Sequence, residues 1–135
     1  MSGDDAGDGH GSGAAALFAQ RHEAGDRAEG RLRSHFTARR TFCNPLGVVQ
    51  GGLLMAMVEL AMKDCVRDAA PAGTAVRLID LQTSFLRAAV PGELICDATV
   101  TRLGRRTAFA AAQLRDPDDQ VLATATGVLA LQASG

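Results

Sequence analysis

The stretch NPLGVVQGGLLMAMVELAM, residues 44 to 62, decides how this chain folds. Its second half, Leu53 to Met62, holds ten residues, nine of them apolar, and the tenth is Glu59. The apolar side chains fall on every side of a helical wheel, and a helix that is apolar all round is expected to be buried all round. An ionised carboxylate in such a place is costly unless it is protonated, well hydrogen-bonded or set beside a cavity. Glu59 is therefore the residue to explain. The turn-rich run CNPLGVVQGG opens the helix, which is expected to end near Ala69, just before Pro71 and Gly73.

Beyond Gly73 the periodicity changes from helical to about two. Thr74 to Leu86, Glu93 to Leu103, Arg105 to Arg115 and Gln120 to Leu131 read as strands, separated by the turns VPGE, LGRR and RDPDDQ. Upstream, Arg31 to Phe42 reads as a first strand with Leu32, Ser34, Phe36 and Ala38 on one face, and Ala14 to Ala24 as a short surface helix. Four consecutive strands after one helix imply an antiparallel sheet, so the fold class is α+β: a long helix on a curved sheet of about five strands. One sheet covers one side of a helix. The remaining apolar face is most economically covered by the same helix of a second subunit across a two-fold axis, which predicts a homodimer.

The whole sequence limits the function classes. Its 135 residues suit one domain. Residues 1–13, rich in glycine and aspartate, read as a disordered tail ahead of a single domain over 14–135. With 21% charged residues and a net charge of -1, there is no bias toward nucleic acid. No apolar run is long enough for a membrane span, and no signal-like N-terminus is present, so a cytoplasmic protein is expected. Cys43, Cys65 and Cys96 show no CxxC spacing, and neither a metal nor a cofactor is expected.

The Gly51-Gly52 pair stands at the helix N-terminus, where unpaired backbone N–H groups and the positive end of the macrodipole favour developing negative charge. At about 1.5 Å rise per residue, Gly51 and Glu59 of one chain lie roughly 12 Å apart along the axis. They do not grip one reacting carbon. Two antiparallel helices across a two-fold axis would set the Gly51 end of one beside the middle of the other, giving a site built from two chains.

Asn44-Pro-x-Gly47-x-x-Gln50-Gly51-Gly52, with an acid nine positions after Gln50, resembles the hot-dog fold thioesterases of the phenylacetate-degradation (PaaI-like) group, whose usual form is NPxGxxHGG followed by a catalytic Asp or Glu. The strand Leu81 to Arg87, the Pro91-Gly92-Glu93 and Leu103 to Arg106 turns, and Ala123 to Gly127 are similar too, so the likeness covers about residues 30 to 132. The resemblance implies a helix wrapped by an antiparallel sheet, dimers often paired into tetramers, and hydrolysis of acyl-coenzyme A, with coenzyme A entering only as part of the substrate. It matches Glu59 to the general base or nucleophile, Gly51 to the carbonyl-polarising N–H and Asn44 to the site amide, with glycine and acid coming from different subunits. The chain departs from the pattern where Gln50 replaces histidine and where Lys63 replaces a hydroxyl four residues after the acid; Thr83 and Ser84 are candidate replacements for that hydroxyl.

Each residue also has a plainer reading. Asn44 before Pro45 is a turn former. Gln50 is either a helix cap or a substrate contact. Gly47 and Gly52 suit turns, Gly52 being also a substrate-contact candidate. Arg87, Arg102, Arg105 and Arg106 read as solvated charge or as phosphate contacts to coenzyme A. Phe85 and Phe109 are expected to line the acyl pocket. His10, His22 and His35 have no metal-ligand spacing, and Cys43 has no partner base. Two alternatives to a thioesterase remain: a non-catalytic acyl- or aryl-CoA binder, and a hot-dog dehydratase or hydratase, which usually pairs its acid with a histidine.

Overall fold

The apolar run of the opening stretch forms the central helix of a computed structural model that describes residues 13–133. In chain order the elements are α1 (Gly13–Leu17), β1 (Arg21–His22), β2 (Arg31–Ala38), a 3-10 turn (Arg40–Phe42), α2 (Gly51–Ala69), β3 (Ala75–Phe85), β4 (Gly92–Leu103), β5 (Thr107–Arg115) and β6 (Val121–Gln132). The strands form one antiparallel sheet in the order β1-β2-β4-β5-β6-β3. The tail read from the sequence lies outside the described residues up to residue 12, and Gly13 belongs to α1.

The sheet wraps one side of α2. Leu54, Met57, Val58, Ala61, Met62, Cys65 and Val66 of the helix are buried. They meet Leu32, Ser34, Phe36 and Ala38 of β2, the face expected from alternation, and Ala108, Ala110, Ala112 and Leu114 of β5. Small residues let helix and sheet approach. A Cβ on Gly127 of β6 would stand 2.8 Å from Met62 Sδ, so a larger residue there would require the Met62 side chain to shift.

Two expectations are corrected at the N-terminal side. The sheet has six strands, because the expected helix over Ala14 to Ala24 stops at Leu17 and residues 21–22 pair with His35 and Ser34 of β2. Tertiary anchors override weak helix propensity here. Phe18 is buried with its ring edge-on to Phe36 and Phe42, Arg21 bonds Glu93 at 3.0 Å, and His22 sits between Ser34 Oγ at 2.9 Å and Asp64 Oδ2 at 3.0 Å. Glu23 and Glu93 each lie 2.6 Å from one ring nitrogen of His35. The first strand also ends at Ala38, and the 3-10 turn takes up the residues to Phe42.

These carboxylates give the segment an acid limit. The hydrogen bond from His35, aided by the Arg21 charge, holds the Glu93 carboxyl below its usual value. Burial pushes the Asp64 carboxyl up, but the His22 hydrogen bond and the Arg67 charge outweigh it and leave this group low as well. A carboxyl with a lowered folded pKa stabilises the fold above its unfolded pKa, and that contribution is lost as pH falls through the folded one. Residues 21–23 are therefore expected to exchange amide hydrogens slowly at neutral pH and to loosen only below roughly pH 4, the ordinary carboxylate range. Asp64→Asn should raise exchange there already at neutral pH and flatten its acid dependence.

The all-round burial expected of α2 is not met within one chain. Leu53, Met55, Ala56, Glu59 and Leu60 are only partly covered, and the Glu59 side chain is 38% exposed, with Lys63 Nζ at 4.0 Å. Glu59 thus stands on a flank of the helix that the sheet leaves open.

Candidate active site

The helix N-terminus is shaped by the loop before it. Asn44 Oδ1 accepts hydrogen bonds from the N–H groups of Leu46 at 2.9 Å and Val48 at 3.4 Å, its own N–H bonds Val48 O at 2.8 Å, and Gly47 turns the chain with φ 82°. The turn-forming reading of Asn44 holds for its oxygen, while its Nδ2 donates no hydrogen bond among the described residues. Gln50 occupies the N-cap position with φ -58° and ψ 132°, and its exposed side chain makes no capping bond. Leu53 and Leu54 donate to Gln50 O, whereas the N–H groups of Gly51 and Gly52 donate to no backbone acceptor among the described residues outside the helix. First-turn donors of this kind are open to an oxyanion.

The two glycines differ. A Cβ on Gly51 would lie 3.3 Å from Cζ of Phe85, so the space freed by this glycine is occupied by an aromatic ring. Gly52 is exposed with nothing within 4 Å of its Cβ position, and it is this glycine whose backbone a substrate can approach unhindered. On β3, Thr83 and Phe85 share one face, and Ser84, between them, is exposed on the other. Thr83 Oγ1 is buried with no hydrogen-bond partner, so of the two hydroxyls only this one is both turned inward and uncommitted. Val48, Val49, Leu54, Phe85, Arg87 and Ala89 help line a hollow of about 300 Å³ that includes Gly51.

Glu59 follows Gly51 by two i+4 steps through Met55, which puts all three on neighbouring parts of one flank. The roughly 12 Å between Gly51 and Glu59 along the axis means that one chain does not bring them onto one carbon.

The arginines do not form one cluster. Arg87 lies at the Gly51 end, while Arg105 and Arg106, in the β4–β5 turn, line a hollow beside Pro71 and Leu131 at the opposite end of α2. Arg102 lies close to that turn, in β4. Phe109 is 42% exposed between the buried Ala108 and Ala110, so it projects from the outer face of the sheet and does not line the pocket.

A polar constellation that sequence reasoning missed joins Ser34, His22 and Asp64, with Gln20 and Arg67 also bonded to Asp64. The residues are far apart in sequence and no motif marks them. His22, Asp64 and Arg67 help line a hollow of about 840 Å³ near the C-terminal end of α2. The connectivity of Ser34, His22 and Asp64 is that of a Ser-His-Asp hydrolase, but Ser34 is 0% exposed and pinned in β2 under the helix, so it reaches no substrate. The set fastens β1 to α2. Cysteine chemistry has no better seat: burial pushes the Cys65 thiol up to about 11 and the Cys96 thiol higher still, and Cys43 remains without a base beside it among the described hydrogen bonds. No group of three or more potential metal ligands occurs among the described residues.

Comparison with known proteins bears on the fold and the family. The model of the thioesterase superfamily matches residues 46–123. Over 103 residues the chain is 37% identical to a candidate esterase of Halobacterium salinarum, covering 74% of this chain and 68% of that protein. Among solved structures, a candidate thioesterase of Ralstonia eutropha, described as related to phenylacetic acid degradation, superposes with a TM-score of 0.82 at 33% identity, covering 86% of this chain and 87% of the other. The PaaI protein from the phenylacetic acid degradation operon of Escherichia coli shares the fold with a TM-score of 0.82 at 18% identity, over 91% and 86% of the two chains. With its long helix held in an antiparallel sheet, the chain has the hot-dog fold and belongs to the thioesterase superfamily.

Proposed function

We propose that this protein hydrolyses acyl-coenzyme A thioesters in a site shared between two subunits. The observation that carries the reading is the placement of open N–H donors at Gly51 and Gly52 and the Glu59 carboxylate on one uncovered helix flank, too far apart to serve the same carbonyl from one chain. A second copy resolves the distance. β3 is an edge strand of eleven residues whose outer side is unpaired among the described residues, and Ile79 and Phe85 on it are half-exposed. Long unpaired edges invite pairing with another chain. Joining two β3 edges antiparallel continues the sheet across a two-fold axis and lays the α2 helices side by side in opposite directions.

In this reading the thioester oxygen accepts a hydrogen bond from Gly51 N–H, with the free Nδ2 of Asn44 and the Gln50 amide as further donors. Glu59 of the other subunit takes a proton from water as the water oxygen attacks the carbonyl carbon. The C–S bond then breaks, and the departing thiolate receives that proton, leaving a carboxylic acid and the free thiol of coenzyme A. Attack by the carboxylate itself, through an anhydride that water opens, gives the same products. Gly52 lets the substrate pass close to the backbone, the Thr83 hydroxyl offers an unused bond, and Arg87 is the basic group nearest to the hollow beside Gly51. Arg105 and Arg106 of the partner serve the nucleotide of coenzyme A. The reading includes one domain, a dimer that pairs into a tetramer, no resident cofactor, and a cytoplasmic setting; no helix among the described residues is long and apolar enough to cross a membrane.

The test is release of free thiol from a panel of short, medium, long and aromatic acyl-CoA esters. The Gln50 substitution favours one other reading, a binder that kept the fold, and this would show a thermal shift with the esters but no thiol. Assembly has its own test. Met55→Glu sets a second carboxylate one turn before Glu59 on the flank facing the partner, where like charges repel. It should shift sedimentation toward the 14.0 kDa chain while leaving circular dichroism unchanged.

A further inference from the structure

We infer that Lys63 stands at the oxyanion of the shared site, where its ammonium stabilises the charge that develops on the thioester oxygen; the inference rests on the two-chain reading of Gly51 and Glu59. Two observations carry it. First, Lys63 extends the i+4 series Gly51, Met55, Glu59 by one further turn, onto the flank of α2 that the sheet leaves open. Its Nζ lies 4.0 Å from Glu59 Oε2 and has no other ion pair or hydrogen bond among the described residues. The next acid along the helix is already committed, since Asp64 faces Gln20, His22 and Arg67.

Second, its level along the helix fits. The N–H groups of a first turn point out of the N-terminus along the axis, so an oxygen bonded to Gly51 lies beyond the helix end. In the antiparallel partner that direction runs toward the C-terminus. With Gly51 of one chain beside Glu59 of the other, an oxygen about 3 Å further on is level with roughly the second residue after Glu59, at about 1.5 Å rise per residue. It falls between Glu59 and Lys63, which are roughly 6 Å apart along the axis. Base and cation then flank one carbonyl.

The chemistry needs such a cation, because a carboxylate alone is a poor neighbour for an oxyanion. As water attacks, its proton passes to Glu59 and negative charge moves to the thioester oxygen, between the Gly51 N–H and the Lys63 ammonium. Glu59 is neutral at that moment, so its hold on Lys63 weakens as that of the oxyanion grows, and the interaction is strongest in the transition state. Lys63 keeps its three protons throughout. When the intermediate collapses, the C–S bond breaks and the thiolate takes the proton from Glu59.

The experiment uses the full chain with Lys63→Met and Lys63→Arg, each checked by circular dichroism and a melting curve. Thiol release by Lys63→Met should fall about a hundredfold, the lower end of what one oxyanion donor supplies, in kcat with KM little changed. Lys63→Arg should keep part of the rate. Melting should hardly move, because an exposed i,i+4 pair adds little stability. Subunit exchange tests the placement: Lys63→Met mixed with Gly51→Val should regain roughly a quarter of wild-type activity by random re-pairing, and mixed with Glu59→Gln should regain none. A readout without turnover is calorimetric binding of S-(carboxymethyl)-CoA, whose carboxylate brings a negative charge next to the thioester position. Glu59→Gln should bind it roughly tenfold tighter than the Glu59→Gln, Lys63→Met double variant does, the scale of one hydrogen bond to a charged group, with S-ethyl-CoA binding equal in both. Unchanged kcat in Lys63→Met, or recovery with Glu59→Gln, overturns the assignment. An ester panel that yields no thiol while carboxymethyl binding still depends on Lys63 keeps the lysine at the site and overturns hydrolysis instead. Carboxymethyl binding indifferent to Lys63 removes the lysine from this role whether or not thiol appears.

Discussion

Glu59→Gln is expected to leave a folded, assembled protein that has lost about a hundredfold or more of its thioester turnover, the scale associated with removing a positioned base. The substitution keeps the length and planarity of the side chain and removes its charge and its capacity to take a proton. Among the described residues Glu59 makes a single ion pair, to Lys63 at 4.0 Å, and its side chain is 38% exposed, so the fold does not depend on its charge. Surface pairs of this kind contribute between nothing and about 1 kcal/mol. Thermal stability should accordingly change little. Free-thiol release measured beside a melting curve separates the two roles, and full activity in Glu59→Gln would leave the glutamate with no chemical task.

Mixing two inactive variants should restore activity. Gly51→Val forces a branched side chain into the position where even a Cβ would lie 3.3 Å from the Phe85 ring, and so displaces the helix terminus or the ring beside the oxyanion donor. Alone, Gly51→Val and Glu59→Gln should each be nearly inactive. After subunit exchange, a heterodimer combines the intact Gly51 of one chain with the intact Glu59 of the other in one of its two sites. Random re-pairing makes half the dimers mixed, so recovery should approach roughly a quarter of wild-type activity. Heterodimers confirmed by mass spectrometry that release no thiol would place the donor and the acid in the same chain's site.

Much of this arrangement was legible in the sequence because it follows from periodicity. The α2 boundary at Ala69 was set by Pro71 and Gly73, and the inward face of β2 by Leu32, Ser34, Phe36 and Ala38. Parity failed in β5, where alanines fill the inner face and Phe109 stands outside. Hydrophobicity there gives no contrast between faces, and the helix asks for small residues, not large ones. β1 was unreadable for another reason: the side chains that hold Arg21 and His22 in place, Glu93 and Asp64, lie 72 and 42 residues further along. The candidate residues near Gly51 were singled out by motif, but Phe85 against Gly51 is a contact between a helix end and a strand end that no local pattern encodes. The arginines looked like one group because their turns resemble those of relatives; the fold puts Arg87 and the Arg105-Arg106 pair at opposite ends of α2.

The Ser34–His22–Asp64 set has a practical consequence for finding this activity in cell extracts. Fluorophosphonate probes label serine hydrolases by phosphonylating an exposed, base-activated hydroxyl. Here the hydroxyl is shielded from solvent on all sides and its imidazole is occupied by a fastening role. Activity-based profiling will pass over this esterase relative as if it were inert, and a template search for triads will flag it at the wrong end of the helix. For the proposed hydrolysis by Glu59 and water, detection of the released thiol or acid is the readout that would register it.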